Sequence, residues 1–199
     1  MKTKMLSIAL MFVVMSAITK STYANTVNTA ATVLNDIKSI NKIELHGNVE
    51  LFISDNAAEQ VTVYNKYYAE NALVQNSKGL LRISSYGAEK LIVWVTSDNL
   101  IAVSAYDNAE VRSFGDVSKI EFNIDLHDNA TAKLNFNAYS ANVTLKDNAK
   151  IELGGNVIDF NLNHNAGSAV INADLSAERY TENNVTRTIA KSKVLAGLE

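Results

Sequence analysis

The sequence contains no cysteine and no proline, and only eight glycines, three histidines and one tryptophan in 199 residues. Without cysteine there is no disulfide framework, no thiolate metal site, no thiol nucleophile and no lipid-modified N-terminal cysteine. Proline breaks a backbone ladder because it has no N–H, so its absence suits a chain that is mostly ladder. Cations are also scarce: 18 Lys and Arg stand against 21 Asp and Glu, a formal net charge of −3. Binding to nucleic acid needs clustered cations to release counterions, and docking on anionic lipid needs them too, so both partner classes are disfavoured. After the first twenty residues no segment is long and apolar enough to span a bilayer.

Those first residues have their own logic. Lys2 and Lys4 precede an apolar run from Met5 to Ile18, and Thr22-Tyr23-Ala24 places small residues at a cleavage point. This predicts a signal peptide over residues 1–24 and an exported chain, whether periplasmic, cell-surface or extracellular. Cleavage removes Lys2, Lys4 and Lys20 and no acid, so the mature form is more acidic still. Residues 25–36 are small and polar and read as a flexible leader, residues 37–190 as a single domain, and residues 191–199 as a tail.

What the sequence does have is a repeat. VSAYDNAEVRSF, IDLHDNATAKLNF, VTLKDNAKIEL and FNLNHNAGSAVI follow one another between Val103 and Ile171. Aligned on Asn108, Asn129, Asn148 and Asn165, the copies are 21, 19 and 17 residues apart. Apolar and polar columns alternate on both sides of the Asn-Ala step, which is the period of strands with one face inward. Identical residues at one corner suit a parallel stack, in which equivalent positions lie about 4.8 Å apart. An antiparallel meander gives no reason for alternate turns to match. The expectation is an all-β parallel β-helix, or solenoid, of short strands with about 20 residues per repeat.

Before the repeats, Ile43 to Ile53 alternates across His46-Gly47-Asn48, a hairpin or a tight corner. Lys66 to Val74 is either helical or a loop leading into a strand. Leu91 to Thr96 (LIVWVT) is continuously apolar and predicts a strand buried on both faces, with Trp94 as a core or rim anchor. After Leu175 the pattern fades into polar sequence suited to capping a terminal rung.

Residues Ile43 to Ile53, the Gly79–Ile83 strand, Leu91 to Leu100 and the four Asn-centred rungs together resemble the GIN-type auto-transporter adhesin head domain family. The likeness runs from about residue 37 to 175. It implies a right-handed β-helix-like fold without established catalytic residues or a defined ligand. The family places Gly and Ser at rung corners where this chain has Asp-Asn-Ala, a change that Asn tolerates through the left-handed conformation.

Four sets of residues are candidates for chemistry. The asparagines Asn108, Asn129, Asn148 and Asn165 form a corner ladder if their amides bond along the stack, or serve as separate turn residues. Asp107, Asp128 and Asp147, continued by His164, form an acidic column. Stacked carboxylates repel unless a hard cation such as Ca²⁺ joins them, or unless each bonds an amide of its own turn. Neither a calcium nonapeptide nor an EF-hand loop is present, so the expectation is no metal and no cofactor. Tyr67 and Tyr68 are the aromatic pair best placed to meet a ligand. His46, His127 and His164 lack ligand spacing, and Arg82, Arg112 and Lys133 are scattered among acids, so no catalytic set is legible.

The sequence therefore predicts an exported, non-enzymatic binding or structural module of the cell envelope. It would recognise a carbohydrate or an envelope protein on an extended β face. A polysaccharide-active enzyme on a β-helix and an oligomeric envelope scaffold are the alternatives. A carboxylate pair with a base on one face is what would favour the enzyme.

Overall fold

Alternation of apolar and polar residues recurs along nearly every segment that forms a strand. The computed structural model describes residues 31–34, 37, 39–55, 58–64, 72–115 and 117–184. In chain order the strands are β1 (Ala31–Leu34), β2 (Lys42–Gly47), β3 (Val49–Ser54), β4 (Gln60–Tyr64), β5 (Ala72–Ser77), β6 (Leu80–Ser85) and β7 (Leu91–Thr96). They continue as β8 (Ala102–Ala105), β9 (Glu110–Ser113), β10 (Val117–Leu126), β11 (Thr131–Leu145), β12 (Lys150–His164) and β13 (Ala169–Asn184). The fold is all-β, with no helix among the described residues. All thirteen strands among the described residues belong to one open, curled sheet.

The repeats pair in parallel, not as a meander. β11 lies between β9 and β10 on one side and β12 on the other, and β12 continues to β13, all parallel. β2 pairs with β6 and β8, and β3 with β7 and β9, also in parallel. His46-Gly47-Asn48 is therefore a tight corner between two sheet faces, since β2 and β3 do not pair with each other. Chain order and stacking order differ here. The β6–β7 segment packs outside β2–β3, so β3 sits between β7 and β9. Antiparallel strands close this end, β1 against β4, β4 against β7, and β5 against β6. Ala31–Leu34, read from sequence as leader, are thus an edge strand. Of the segment Lys66 to Val74, the described end enters β5.

The corner is built differently from the sequence reading. The residue in the left-handed region is the aspartate, not the asparagine: φ is 61° at Asp107, 57° at Asp128 and 58° at Asp147. Short polar side chains tolerate this region through local hydrogen bonds, and Asp does so as Asn does. Each carboxylate reaches the neighbouring rung instead of its own turn. The Gly47 N–H donates to Asp107 Oδ2 at 2.9 Å, the Asp107 N–H to Asp128 Oδ2 at 3.0 Å, and the Asp128 N–H to Asp147 Oδ2 at 3.4 Å. One amide per carboxylate offsets the repulsion of the column without a cation. Replacing Asp128 by Ala should cost about 1–2 kcal/mol, from the lost charge-assisted bond to the Asp107 N–H and from Ala tolerating the left-handed region less well than Asp. Asp128→Asn should retain most of the stability; equal midpoints for the two variants in urea denaturation would contradict this corner.

Inward columns form the core. Ala109, Ala130 and Ala149 are fully buried just past the corner, where only a methyl fits, and Phe122, Phe136 and Phe160 fill the far side. Phe122 and Phe136 meet edge to face with centroids 5.2 Å apart. Each fully buried Leu or Phe contributes about 1.5–3 kcal/mol relative to exposure.

The fourth copy is the exception. Leu145 pairs with His164 and Lys150 with Ala169, a register of 19 residues, not the 17 inferred from matching Asn-Ala. His164 therefore does not continue the aspartate column, and Asn165 does not continue the asparagine column. Ala166 is accordingly exposed, unlike Ala109, Ala130 and Ala149. Asn165 closes its own turn, its Oδ1 accepting from the Gly167 and Ser168 N–H groups at 3.1 and 3.0 Å.

Candidate binding face

Parallel stacking turns single outward residues into rows that cross the sheet. One row runs Thr62, Trp94, Phe52, Arg112, Lys133, Glu152, each in register with the next on β4, β7, β3, β9, β11 and β12. The adjacent row runs Tyr64, Ile92, Glu50, Glu110, Thr131, Lys150 on the same strands. One end of this face is aromatic and aliphatic, and its middle is charged.

Trp94 is not enclosed on both sides. In β7 Leu91, Val93 and Val95 are buried, while Ile92, Trp94 and Thr96 face outward and are half-buried. The strand looks continuously apolar because its outward residues are apolar too. Trp94 stacks on Phe52, with centroids 4.8 Å apart and planes 16° from parallel. Phe114, just beyond β9, meets Trp94 edge-on at 4.9 Å and 62°. Phe114 is 58% exposed, so most of its ring is open to solvent.

The charged part is closely paired. Lys90 Nζ lies 2.9 Å from Glu110 Oε2, Arg112 Nε lies 3.0 Å from Glu50 Oε1, and Arg112 Nη2 bonds Glu110 Oε1. Lys133 Nζ lies 2.6 Å from Glu152 Oε1. Burial pushes the Glu110 carboxyl up, but hydrogen bonds from Lys90 and Arg112 together take it below its ordinary value. Glu50 and Glu110 are a carboxylate pair, with the cations Lys90 and Arg112 beside it, that the sequence did not reveal.

Beside these pairs a groove of about 450 Å³ opens along β9, β11 and β12. Phe52, Arg112, Lys133, Asn135, Glu152 and Asp174 line it, together with Gly154 and Gly155. Gly154 contributes no side chain between Asn135 and Asp174, which helps to leave the space open. Its size falls in the ordinary range for a small-ligand site.

The residues singled out in the sequence fall elsewhere. Tyr67 and Tyr68 lie outside the described residues. Asp107, Asp128 and Asp147 stay at the corner as amide acceptors, and among the described residues no group of three or more His, Asp or Glu is placed to hold a metal ion. Along the asparagine corner the amide bond present among the described residues runs from Asn148 Nδ2 to Asn129 Oδ1, 3.4 Å. The regular asparagine ladder lies six residues upstream of Asn129 and Asn148. Asn142 Nδ2 donates to Asn123 Oδ1 at 2.9 Å and Asn161 Nδ2 to Asn142 Oδ1 at 3.1 Å. Its even spacing of 19 residues was the available signal.

The histidines are not independent surface residues. His46, Tyr106 and His127 form a ring column, with centroid spacings of 4.7 and 4.5 Å. Burial, with Asp125, Glu44 and Asp128 nearby, raises the Tyr106 phenol above its ordinary value. His164 stands apart, with Nε2 2.8 Å from Glu182 Oε1. Phe52 and Phe114 were missed because placing them beside Trp94 requires the stacking order of β7, β3 and β9.

Solved structures share this architecture. A putative adhesin from Parabacteroides distasonis is 14% identical, with a TM-score of 0.63 and 78% of each chain covered. A putative adhesin from Parabacteroides merdae is 14% identical, with a TM-score of 0.58, covering 78% of this chain and 77% of its own. A putative lipid binding protein from Parabacteroides distasonis is 12% identical, with a TM-score of 0.58 and 77% of each covered. No curated protein matches the chain in sequence. Residues 39–188 match the family described as "Putative auto-transporter adhesin, head GIN domain", and the chain belongs to that family.

Proposed function

We propose that this chain is an exported, non-enzymatic binding module of the cell envelope. Its scaffold is a right-handed parallel solenoid over residues 37–190, and its recognition surface is the outward face of β4, β7, β3, β9, β11 and β12. The observation that carries this reading is the Phe52–Trp94–Phe114 cluster beside a groove whose two cations, Arg112 and Lys133, are paired to acids. Exposed rings are energetically costly to leave in water and are the usual anchors of a binding surface. The family description as an adhesin head supports the same role. Hydrogen bonds from Lys90 and Arg112 favour the charged form of Glu110 against the effect of burial, which weighs against Glu110 as the general acid of an enzyme.

Co-sedimentation with isolated bacterial envelope fractions tests the proposal. The exported chain should sediment with the envelope, and Phe114→Ala should weaken adsorption by about fivefold, on the scale of one lost ring contact. Ile120→Ser, on an exposed residue away from this face, should change nothing. Adsorption unaffected by Phe114→Ala would remove the face from the account. Cleavage of acidic polysaccharide, with or without Ca²⁺, would replace the binding module by the enzyme.

A further inference from the structure

We infer that the ligand of this face is a neutral polysaccharide, with one sugar ring against the Phe52–Trp94–Phe114 cluster and its neighbours in the groove beyond Phe52. The inference rests on the binding-module reading and adds the chemical class of ligand. Two features of the site select that class.

The first is the juxtaposition of ring surface and polar groove. Phe52 is stacked on Trp94 on one side and bounds the groove on the other, so ring surface and hydrogen-bonding groups meet at one edge. A pyranose has the matching duality. Its C–H face is apolar and packs on the electron-rich face of an aromatic ring, while its rim carries hydroxyls. A purely apolar ligand would leave the Arg112, Lys133, Glu152 and Asn135 side of the groove desolvated without partners.

The second is charge. The cations lining the groove are Arg112 and Lys133, and both are committed, to Glu50 and Glu110 and to Glu152 respectively. An anionic polysaccharide or phosphate-bearing headgroup would have to draw one of them away from its carboxylate, because the groove lining holds no further cation to meet the ligand's charge. A hydroxyl both donates and accepts, so it can bond a carboxylate oxygen or a remaining guanidinium N–H without breaking the pair. The site has three cations, Lys90, Arg112 and Lys133, set against four acids, Glu50, Glu110, Glu152 and Asp174. It offers no surplus cation to an anionic ligand.

Affinity electrophoresis tests this. The exported chain is run through native gels containing mannan, xyloglucan or glycogen, and through gels containing alginate or polygalacturonate. At least one neutral polysaccharide should retard it, with little change on adding salt, because the ligand carries no charge to be screened. Phe114→Ala should weaken the retardation by about fivefold, Trp94→Phe should largely preserve it, and Ile120→Ser should leave it intact. Phe114 is mostly exposed, so its loss should not unfold the domain, and thermal melting of each variant checks that.

The inference fails if no neutral polysaccharide retards the chain, if only the acidic ones do, or if Phe114→Ala binds as the parent does. It also fails if vesicles of a zwitterionic lipid compete for the face while neutral polysaccharides do not. In each case the envelope assay distinguishes the two readings. Phe114-dependent adsorption that excess neutral polysaccharide does not displace keeps the binding module and removes the glycan.

Discussion

Replacing Gly155 by alanine is expected to lower the stability of the domain by about 3 kcal/mol or more. Gly155 has φ of 105°, a conformation that L side chains rarely adopt. A Cβ there would stand 2.0 Å from the carbonyl oxygen of Phe136. That oxygen is backbone of the adjacent strand β11, so no rotamer change relieves the contact; β11 and β12 must separate. Their separation would disturb the ladder that carries the groove. Gly154 is the internal control. It lacks a positive φ, and its nearest neighbour would be Asn135 Oδ1 at 3.4 Å, a side-chain atom able to move. Gly154→Ala should therefore be nearly neutral to stability while narrowing the groove. Urea denaturation measures both, the expected signature being a shifted midpoint at unchanged slope. Equal effects at the two positions would contradict the packing of β12 on β11.

The second large effect is expected at Asp55, which should cost about 3 kcal/mol on replacement by alanine. Its partner, Lys119, has a side chain only 3% exposed. Lys119 Nζ lies 2.5 Å from Asp55 Oδ1 and donates to the Ser97 and Asp98 carbonyls at 3.0 and 3.1 Å. Asp55 also accepts from the Ser118 N–H through Oδ2, at 2.6 Å. One ion pair thus ties the end of β3, the corner after β7 and the start of β10. Removing Asp55 strands an ammonium in a nearly dry site, whereas Lys119→Met fills similar volume without a charge and leaves a carboxylate that reaches solvent. The order of stability should be parent, then Lys119→Met, then Asp55→Ala. The double variant should be more stable than Asp55→Ala alone, a positive coupling that a double-mutant cycle reads directly. Additive losses would show that the pair holds nothing together.

Much of the scaffold is legible in sequence because inward positions repeat every second residue and corners repeat once per rung. That suffices for strands, for parallel pairing of the repeats and for the register of the first three copies. It fails at the fourth copy for a definite reason. A shift of two residues preserves the alternation, so hydrophobicity cannot distinguish a register of 17 from one of 19. The Asn165-Ala166 match then misleads, and the register is decided by Phe160 and Leu162 finding places beside Ala141 and Val143. The corner chemistry fails because Asp and Asn both tolerate positive φ, so composition cannot say which of the two bends. Trp94 fails because apolar outward residues hide the alternation of β7. The candidate binding face was the least legible part. It exists only because β3 sits between β7 and β9, and the residues it joins are separated by segments with no internal repeat.

Trp94 is the single tryptophan of the chain, so its emission reports on this face alone. The most direct test is to follow that emission while the chain adsorbs to isolated envelope fractions. The account predicts that a bound partner covers Phe114 and changes the water around the indole, so emission shifts in proportion to the fraction bound. Full adsorption with unchanged Trp94 emission would place the binding surface elsewhere on the molecule and contradict the account.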